Sequence, residues 1–112
     1  MIRIYHNHRC SKSRATLALL EGRDVEVVNY LDTPPDAAEL KHLLKLLCMP
    51  ARQLLRSGEA ICKELGLADP ALDEAALIAA MVAHPILIER PIVVVNGKAA
   101  IGRPPENVLA IL

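Results

Sequence analysis

The sequence has no phenylalanine and no tryptophan, and its tyrosines are limited to Tyr5 and Tyr30. Hydrophobic residues still make up 53% of the 112 residues, so the core of the folded chain must be built from aliphatic side chains. This composition excludes intrinsic disorder, because disordered chains combine low hydrophobicity with a high net charge. The length is typical of one domain of common size. We therefore expect a single domain over residues 1–112.

The sequence also has no excess of charge of either sign. Thirteen Lys and Arg residues balance thirteen Asp and Glu residues. A neutral chain displaces few counterions from nucleic acid, and two tyrosines cannot form a platform on which bases stack. The charge balance therefore predicts that nucleic acid is not a partner of this protein.

Long hydrophobic runs and paired cysteines are absent as well. The longest apolar run covers residues 75–83, whereas a transmembrane helix needs about 20 apolar residues. The first six residues do not resemble a signal peptide. The cysteine count is odd, which disfavours a disulfide framework, and the cysteine spacing is not that of zinc ligands. We expect a cytoplasmic protein without membrane contact, with reduced thiols and no bound metal.

The first thirty residues predict a β-α-β unit. Residues 2–5 form an apolar strand, a helix-forming stretch follows and ends near Gly22, and β-branched residues at 25–30 predict a second strand. Two strands connected through a helix are normally parallel with a right-handed crossover. The chain therefore opens as an α/β fold.

The C-terminal region predicts a β-hairpin and a short helix. Residues 92–95 have the composition of a buried strand, Asn96-Gly97 is a favoured hairpin turn, and residues 99–101 form the returning strand. Residues 106–112 suffice for one or two helical turns. The first and last parts of the chain together predict a four-stranded mixed sheet.

The middle of the chain, residues 36–84, predicts an added helical layer. Asp36 followed by Glu39 is typical of a capping box, and Asp73 with Glu74 begins a later helix. Shorter helices are predicted over residues 51–57 and 59–66. Without this insertion, the order of the elements is the thioredoxin/glutaredoxin plan, and we predict that fold class.

Cys10 is the strongest candidate for a reactive residue. It follows the first strand and stands where the next helix begins, so unpaired N–H groups and the positive end of the helix dipole face its side chain. Arg9, Lys12 and Arg14 add positive charge nearby. These features favour the nucleophilic thiolate. The alternative is a small, buried and inert cysteine beside a turn.

Two familiar thiol motifs are absent. A Cys-x-x-Cys pair would need a second cysteine where Ser13 stands, and a phosphatase-type loop would need an arginine where Thr16 stands. Any side chains that bind an anion at Cys10 must therefore come from elsewhere in the chain. The candidates are Arg56, Arg90 and Arg103 at predicted element boundaries, since guanidinium groups donate paired hydrogen bonds to oxyanions. The pattern by itself gives no reason for three distant arginines to converge, and the default interpretation is three solvated surface charges.

Other residues also have two interpretations. Pro91 precedes a buried strand, which is where thioredoxin-like folds place a cis proline beside the reactive cysteine. His6, four residues before Cys10, either hydrogen-bonds the loop or caps the strand. Cys48 and Cys62 lie among leucines and an isoleucine in helical segments, and we expect both to be packed and inert.

The segment YHNHRCSKSR at residues 5–14 resembles the active-site segment of the glutaredoxin-coupled arsenate reductase family. The similarity continues in order along the chain, through YLDTPP at 30–35, LLR at 54–56, HPILIERPIVV at 84–94 and GRP at 102–104. His8-Arg9 and Ser11-Lys12 depart from the better-studied members and match a shorter, chromosomal branch. The departures leave the fold unaffected and the identity of the substrate open.

The resemblance implies a thioredoxin-like fold and a role for each matching residue. Cys10 matches the nucleophile, His6 matches a histidine that assists the thiolate, and Ser13 matches a serine that helps keep the cysteine ionised. The three arginines that match the binding site of the arsenic oxyanion are Arg56, Arg90 and Arg103. The resemblance also implies glutathione as co-substrate, glutaredoxin as partner and no bound cofactor, and we expect a monomer.

Three functions follow as hypotheses. The first is an enzyme that reduces arsenate to arsenite with glutathione and glutaredoxin. The second is a glutathione-dependent thiol oxidoreductase that acts on another substrate, either a glutathione mixed disulfide or a similar oxyanion. The third is a non-catalytic regulatory module of the same fold that contacts RNA polymerase. Such regulators usually carry a Cys-x-x-Cys switch, and Ser13 argues against that switch here.

Overall fold

The computed structural model describes all residues from Met1 to Leu112, and these form two compact units. The first unit comprises Met1–Thr33 and Arg90–Leu112, and the second comprises Pro34–Glu89. The second unit is therefore inserted in the sequence of the first, with bounds close to the predicted helical layer at 36–84. None of the helices combines the length and the hydrophobicity needed to cross a membrane.

The first unit is built on a four-stranded sheet with the order β2-β1-β3-β4. β1 pairs in parallel with β2, whereas β1 with β3 and β3 with β4 are antiparallel. The predicted mixed sheet is thereby confirmed. The elements are β1 (Ile2–His6), α1 (Ser11–Leu19), β2 (Val25–Asn29), β3 (Ile92–Val95), β4 (Lys98–Ile101) and a 3₁₀ helix (Pro105–Ile111).

The hairpin between β3 and β4 turns at the predicted dipeptide. Asn96 and Gly97 have φ values of 51° and 74°, and positive φ at both central residues is typical of a type I′ turn, whose twist matches that of the flanking strands. The turn sets the register, in which Val95 pairs with Lys98 and Ile92 pairs with Ile101. The tight turn therefore returns β4 directly along β3.

The core of the first unit is aliphatic, as the composition predicts. Ile4 and Val93 are fully buried and are paired across β1 and β3. Burial of a side chain of this size stabilises the folded state by about 1.5–3 kcal/mol. The other buried members of this cluster are Ile2, Leu20, Val95 and Val108. The cluster joins the sheet, the C-terminal end of α1 and the C-terminal 3₁₀ helix.

The second unit consists of helices. They are α2 (Ala37–Leu47), α3 (Ala51–Leu54), α4 (Ala60–Glu64), α5 (Glu74–Ala83) and a 3₁₀ helix (Pro85–Leu87). The Asp36 carboxylate accepts a hydrogen bond from the Glu39 N–H, which confirms the predicted start of α2. α3 is shorter than the predicted 51–57, because Leu55 leaves the helix and forms an antiparallel bridge with Ile88.

Candidate active site

Cys10 occupies the N-cap position of α1. Its backbone is extended, with φ −96° and ψ 122°, and no side chain caps the helix. The Cys10 N–H donates to the Asn7 carbonyl at 3.0 Å, and the Cys10 carbonyl accepts from the Arg14 N–H at 3.0 Å. The chain thus turns from β1 into α1 at Cys10 and leaves the first N–H groups of the helix without a side-chain acceptor of the usual Ser, Thr, Asn or Asp type.

The surroundings of the Cys10 sulfur favour the thiolate. Partial burial by itself raises the pKa of the thiol, but hydrogen bonds to the sulfur outweigh it. The Ser13 N–H, the Arg90 side chain and the Lys12 N–H act together and hold the pKa of Cys10 below its ordinary value. N–H groups of a helix start and a guanidinium both stabilise the anion more than the neutral thiol. Cys10 is therefore suited to act as a nucleophile.

Two of the three predicted arginines, Arg90 and Arg103, lie at Cys10. The Arg103 Nη1 atom is 3.9 Å from the Cys10 sulfur, within the range for a sulfur acceptor, and it also donates to the Arg90 carbonyl at 3.1 Å. Ninety-three positions separate Cys10 from Arg103 in the sequence. The sheet brings them together, because β3 and β4 place both arginine segments beside the end of β1.

The segments that carry these arginines pack closely against α1. The Arg90–Pro91 peptide bond is cis, at the position where the sequence predicts one, and Arg103–Pro104 is cis as well. The Gly102 N–H donates to the Pro91 carbonyl at 3.0 Å. A Cβ atom at Gly102 would overlap Thr16 Oγ1 and lie 2.8 Å from Pro91 Cγ. The absence of a side chain at Gly102 lets the backbone before Arg103 lie directly on α1.

His6 and Ser13 form a buried pair beside the loop. The Ser13 hydroxyl lies 2.7 Å from His6 Nδ1 and accepts from the Asn7 N–H at 3.0 Å. Burial, together with the positive charges of His8 and Arg14, lowers the pKa of His6. The lowered pKa favours the neutral imidazole, and in the tautomer with its proton on Nε2 the Nδ1 atom accepts a hydrogen bond from the Ser13 hydroxyl. The Ser13 side chain anchors the loop, while its backbone N–H faces the sulfur.

Arg56 belongs to the second unit and has a carboxylate partner there. Its Nη1 atom lies 2.6 Å from Glu89 Oε1. Two backbone hydrogen bonds, from the Arg56 N–H to Leu87 and from the Glu89 N–H to Leu54, hold the two segments side by side. Glu89 is not marked as a partner by the sequence, because 33 positions separate it from Arg56 and no local pattern indicates such a pair.

The other two cysteines differ from each other. Cys62 is 2% exposed and is packed as predicted. Cys48 is exposed, so the prediction of a packed thiol is wrong for this residue. The reason is that α2 ends at Leu47, and Cys48 caps the helix in the left-handed conformation, with φ 55° and ψ 42°. All three cysteines are free thiols.

The remaining charged residues near Cys10 lie at the surface. Arg9, Lys12 and Arg14 are exposed, and Arg14 Nη1 donates to the His8 carbonyl at 2.9 Å. No group of three or more His, Cys, Asp or Glu side chains is arranged to hold a metal ion. The chemistry of this arrangement is that of an activated sulfur nucleophile with two guanidinium groups, which suits attack on an electrophilic atom within an anion.

The chain is similar over nearly its whole length to proteins of one known family. Residues 5–111 match the ArsC family. An arsenate reductase from Neisseria meningitidis serogroup B is 57% identical over 114 residues, which cover 99% of this chain and 97% of that protein. The Escherichia coli K12 protein YfgD, described as uncharacterized, is 62% identical over 99% of this chain and 96% of its own length. The solved structure of an arsenate reductase from Vibrio cholerae has a TM-score of 0.97 at 54% identity, and the match covers 99% of this chain and 97% of that chain.

Proposed function

Because this chain belongs to the ArsC family, we propose that it reduces arsenate to arsenite with Cys10 as the nucleophile. Its fold is that of the thioredoxin-like arsenate reductases. The observation that supports the proposal most strongly is the half-buried Cys10 sulfur at the start of α1, 3.9 Å from the Arg103 guanidinium. A nucleophile beside a cation is the arrangement that attack on an oxyanion needs.

In the first step, the Cys10 thiolate attacks the arsenic atom of arsenate. An As–S bond forms, and one arsenic oxygen takes up protons from solvent and leaves as water. Arg90 and Arg103 offset the negative charge of the oxyanion and of the transition state, which is worth several kcal/mol, roughly 3, in a site that excludes water. We extend this binding role to Arg56 on the family resemblance.

In the second step, an external thiol supplies the electrons. A glutathione thiolate attacks the Cys10 sulfur, a disulfide bond forms, and the electron pair of the broken As–S bond reduces arsenic(V) to arsenic(III). Arsenite leaves, and a Cys10–glutathione mixed disulfide remains for glutaredoxin to reduce. An external thiol is needed because Ser13 stands where a resolving cysteine would stand. We place this reaction in the cytoplasm, where glutathione keeps thiols reduced.

His6 and Ser13 act on Cys10 through the loop in this proposal. The buried Ser13 hydroxyl ties His6 to the Asn7 backbone, and this contact keeps the Ser13 N–H at the sulfur. No bound cofactor or metal takes part in either step. The protein supplies the nucleophile, the positive charge and the geometry, and glutathione supplies the reducing electrons.

The test is arsenate turnover with glutathione and glutaredoxin, measured for the wild type, Cys10→Ser and Cys48→Ser. We expect Cys10→Ser to fall to the background rate, because a serine hydroxyl does not ionise near neutral pH. Cys48→Ser is the matched control, since Cys48 is an exposed thiol in the second unit, and we expect it to keep full activity. Turnover retained by Cys10→Ser would exclude the mechanism.

The same assay separates a second candidate function. A thiolate without a resolving cysteine is also the nucleophile of a monothiol oxidoreductase, which would act on a glutathione mixed disulfide. Turnover of a glutathionylated thiol, combined with no turnover of arsenate, would replace the proposed substrate and leave the role of Cys10 intact.

A further inference from the structure

Asn7 lies between β1 and α1, and three of its polar atoms hold the loop that carries Cys10. Its side-chain Oδ1 accepts from the Arg9 N–H at 3.0 Å. Its carbonyl accepts from the Cys10 N–H, and its own N–H donates to the Ser13 hydroxyl, both at 3.0 Å. Asn7 is only 5% exposed. Asn7 is therefore buried within the loop and is hydrogen-bonded to Arg9, to Cys10 and to Ser13 in the first turn of α1.

These contacts determine the direction of the Cys10 side chain. The bond from Arg9 to Oδ1 closes an Asx turn, and the bond from Cys10 to the Asn7 carbonyl closes a wider turn around it. Together they bring the backbone of Cys10 into the extended conformation of an N-cap residue. From that position, the sulfur faces the N–H groups of Lys12 and Ser13.

An alanine at position 7 would keep the backbone contacts and lose the Asx turn. The Arg9 N–H would then have no acceptor from residue 7, and the backbone between Asn7 and Cys10 would gain conformational freedom. A rotation of a few tens of degrees at Cys10 moves the sulfur away from N–H groups that act only at close range. The substitution at position 7 would therefore weaken the stabilisation of the thiolate at Cys10, although it removes no group that contacts the sulfur.

We propose that Asn7 is a positioning residue, whose carboxamide oxygen holds the Cys10 sulfur against the Lys12 and Ser13 N–H groups and the Arg90 and Arg103 guanidiniums. The inference deepens the proposed function, in which Cys10 is the nucleophile. The other cations of the loop, Arg9, Lys12 and Arg14, are exposed and stay unchanged in the variants below, as does the buried His6.

The chain offers a matched control for this contact. Asp69 Oδ1 accepts from the Ala71 N–H at 2.9 Å, so it forms a turn with the same spacing of two residues. Asp69 lies in the second unit. Asp69→Ala therefore removes the same kind of hydrogen bond without touching the loop of Cys10.

The experiment measures the alkylation rate of Cys10 by iodoacetamide as a function of pH. All variants carry Cys48→Ser, so that Cys10 is the accessible thiol while Cys62 stays buried. We expect Asn7→Ala to raise the midpoint of the pH profile by about one unit towards that of an ordinary thiol. Asp69→Ala should leave the midpoint unchanged. Asn7→Ser retains a side-chain oxygen that closes a weaker turn, and its midpoint should fall between those of the parent and Asn7→Ala.

A midpoint for Asn7→Ala that equals that of the parent, or that moves no further than that of Asp69→Ala, would overturn the inference. Circular dichroism checks the fold of each variant, and if Asn7→Ala does not fold, the midpoint of Asn7→Ser decides by the same criterion. The readout does not depend on arsenate. A raised midpoint in a protein that fails to turn over arsenate would refute the proposed substrate and leave the role of Asn7 standing.

Discussion

Helices α2 and α5 begin at an aspartate cap, whereas α1 begins at Cys10 without a side-chain cap. Asp36 accepts from the Glu39 N–H and Asp73 from the Ala76 N–H, both at 2.8 Å. At α1, the corresponding position holds a thiol, and its neighbouring N–H groups lie towards the sulfur. The unpaired N–H donors at a helix start are thus bonded to an aspartate cap in α2 and α5, and they face a reactive sulfur in α1.

The difference shows what each helix start contributes. An aspartate cap satisfies a donor permanently and stabilises the fold by about 1 kcal/mol. A cysteine sulfur is a weak acceptor as a thiol and a strong one as a thiolate, so the stabilisation at α1 is coupled to the formation of a nucleophile. The capped starts of α2 and α5 serve stability, whereas the start of α1 serves chemistry. Each of three substitutions tests one side of this contrast.

Ser13→Ala tests the buried hydrogen bonds that anchor the uncapped start of α1, and it should have the largest effect on stability. The Ser13 hydroxyl is fully buried and bonded to His6 Nδ1 and the Asn7 N–H. Its removal leaves both partners buried without this contact, and we expect the free energy of unfolding in urea to fall by about 2 kcal/mol. Ser11→Ala, an exposed serine on the same helix, is the control and should change it by less than about 0.5 kcal/mol. Equal losses in the two variants would contradict the anchoring role.

Asp73→Ala tests the capped starts. We expect a loss of about 1 kcal/mol in the free energy of unfolding, because the Ala76 N–H loses its acceptor at the first turn of α5. Asp73→Asn keeps an acceptor of the same shape and should lose much less. The measurement is urea unfolding followed by circular dichroism at pH 7. A loss in Asp73→Asn as large as that in Asp73→Ala would assign the effect to the helix dipole instead of the cap.

Cys10→Ser converts the uncapped start into a capped one and should have the smallest effect on stability. Serine is a good N-cap residue, so at low pH we expect the variant to be more stable than the wild type by about 0.5 kcal/mol. The folded-state pKa of Cys10 lies below its unfolded value, so the thiolate adds stability to the wild type above the unfolded pKa. That contribution disappears as the pH falls through the folded pKa.

The advantage of Cys10→Ser should therefore shrink as the pH rises from 5 to 9, a range of about four units that includes the ordinary pKa of a thiol near 8.5. Urea unfolding of both proteins at intervals across that range measures the difference. A difference that stays constant with pH would mean that the N–H groups at α1 do not stabilise the thiolate.

Local sequence patterns account for much of the fold. Asp36 and Glu39 mark the start of α2 because the cap needs a donor three residues away, and Asn96-Gly97 marks the hairpin because its φ values are positive. Cys10 is recognisable because a helix follows it directly. The Asx turn of Asn7 is equally local, since an asparagine side chain commonly accepts from the N–H two residues further on, but Asn7 was not among the predicted site residues.

Contacts between distant segments were not predictable in this way. The sequence allowed Arg56 to be either a binding residue or a surface charge. In the structure, the bridge between Leu55 and Ile88 places Arg56 beside Glu89, and the two form an ion pair. This pair leaves no periodic pattern in the sequence, because it depends on which segments lie side by side.

By itself, the sequence determined the aliphatic core, the β-α-β opening, the hairpin and the thiol at the start of a helix. The hairpin turn and the helix start depend on interactions within a few residues, and the aliphatic character of the core follows from the composition alone. Only the tertiary structure decided that Arg103 lies beside Cys10, 93 positions away, and that Arg56 faces Glu89. Pairing across a sheet or a bridge sets such distances, and electrostatic stabilisation of a thiolate acts only over a few ångströms.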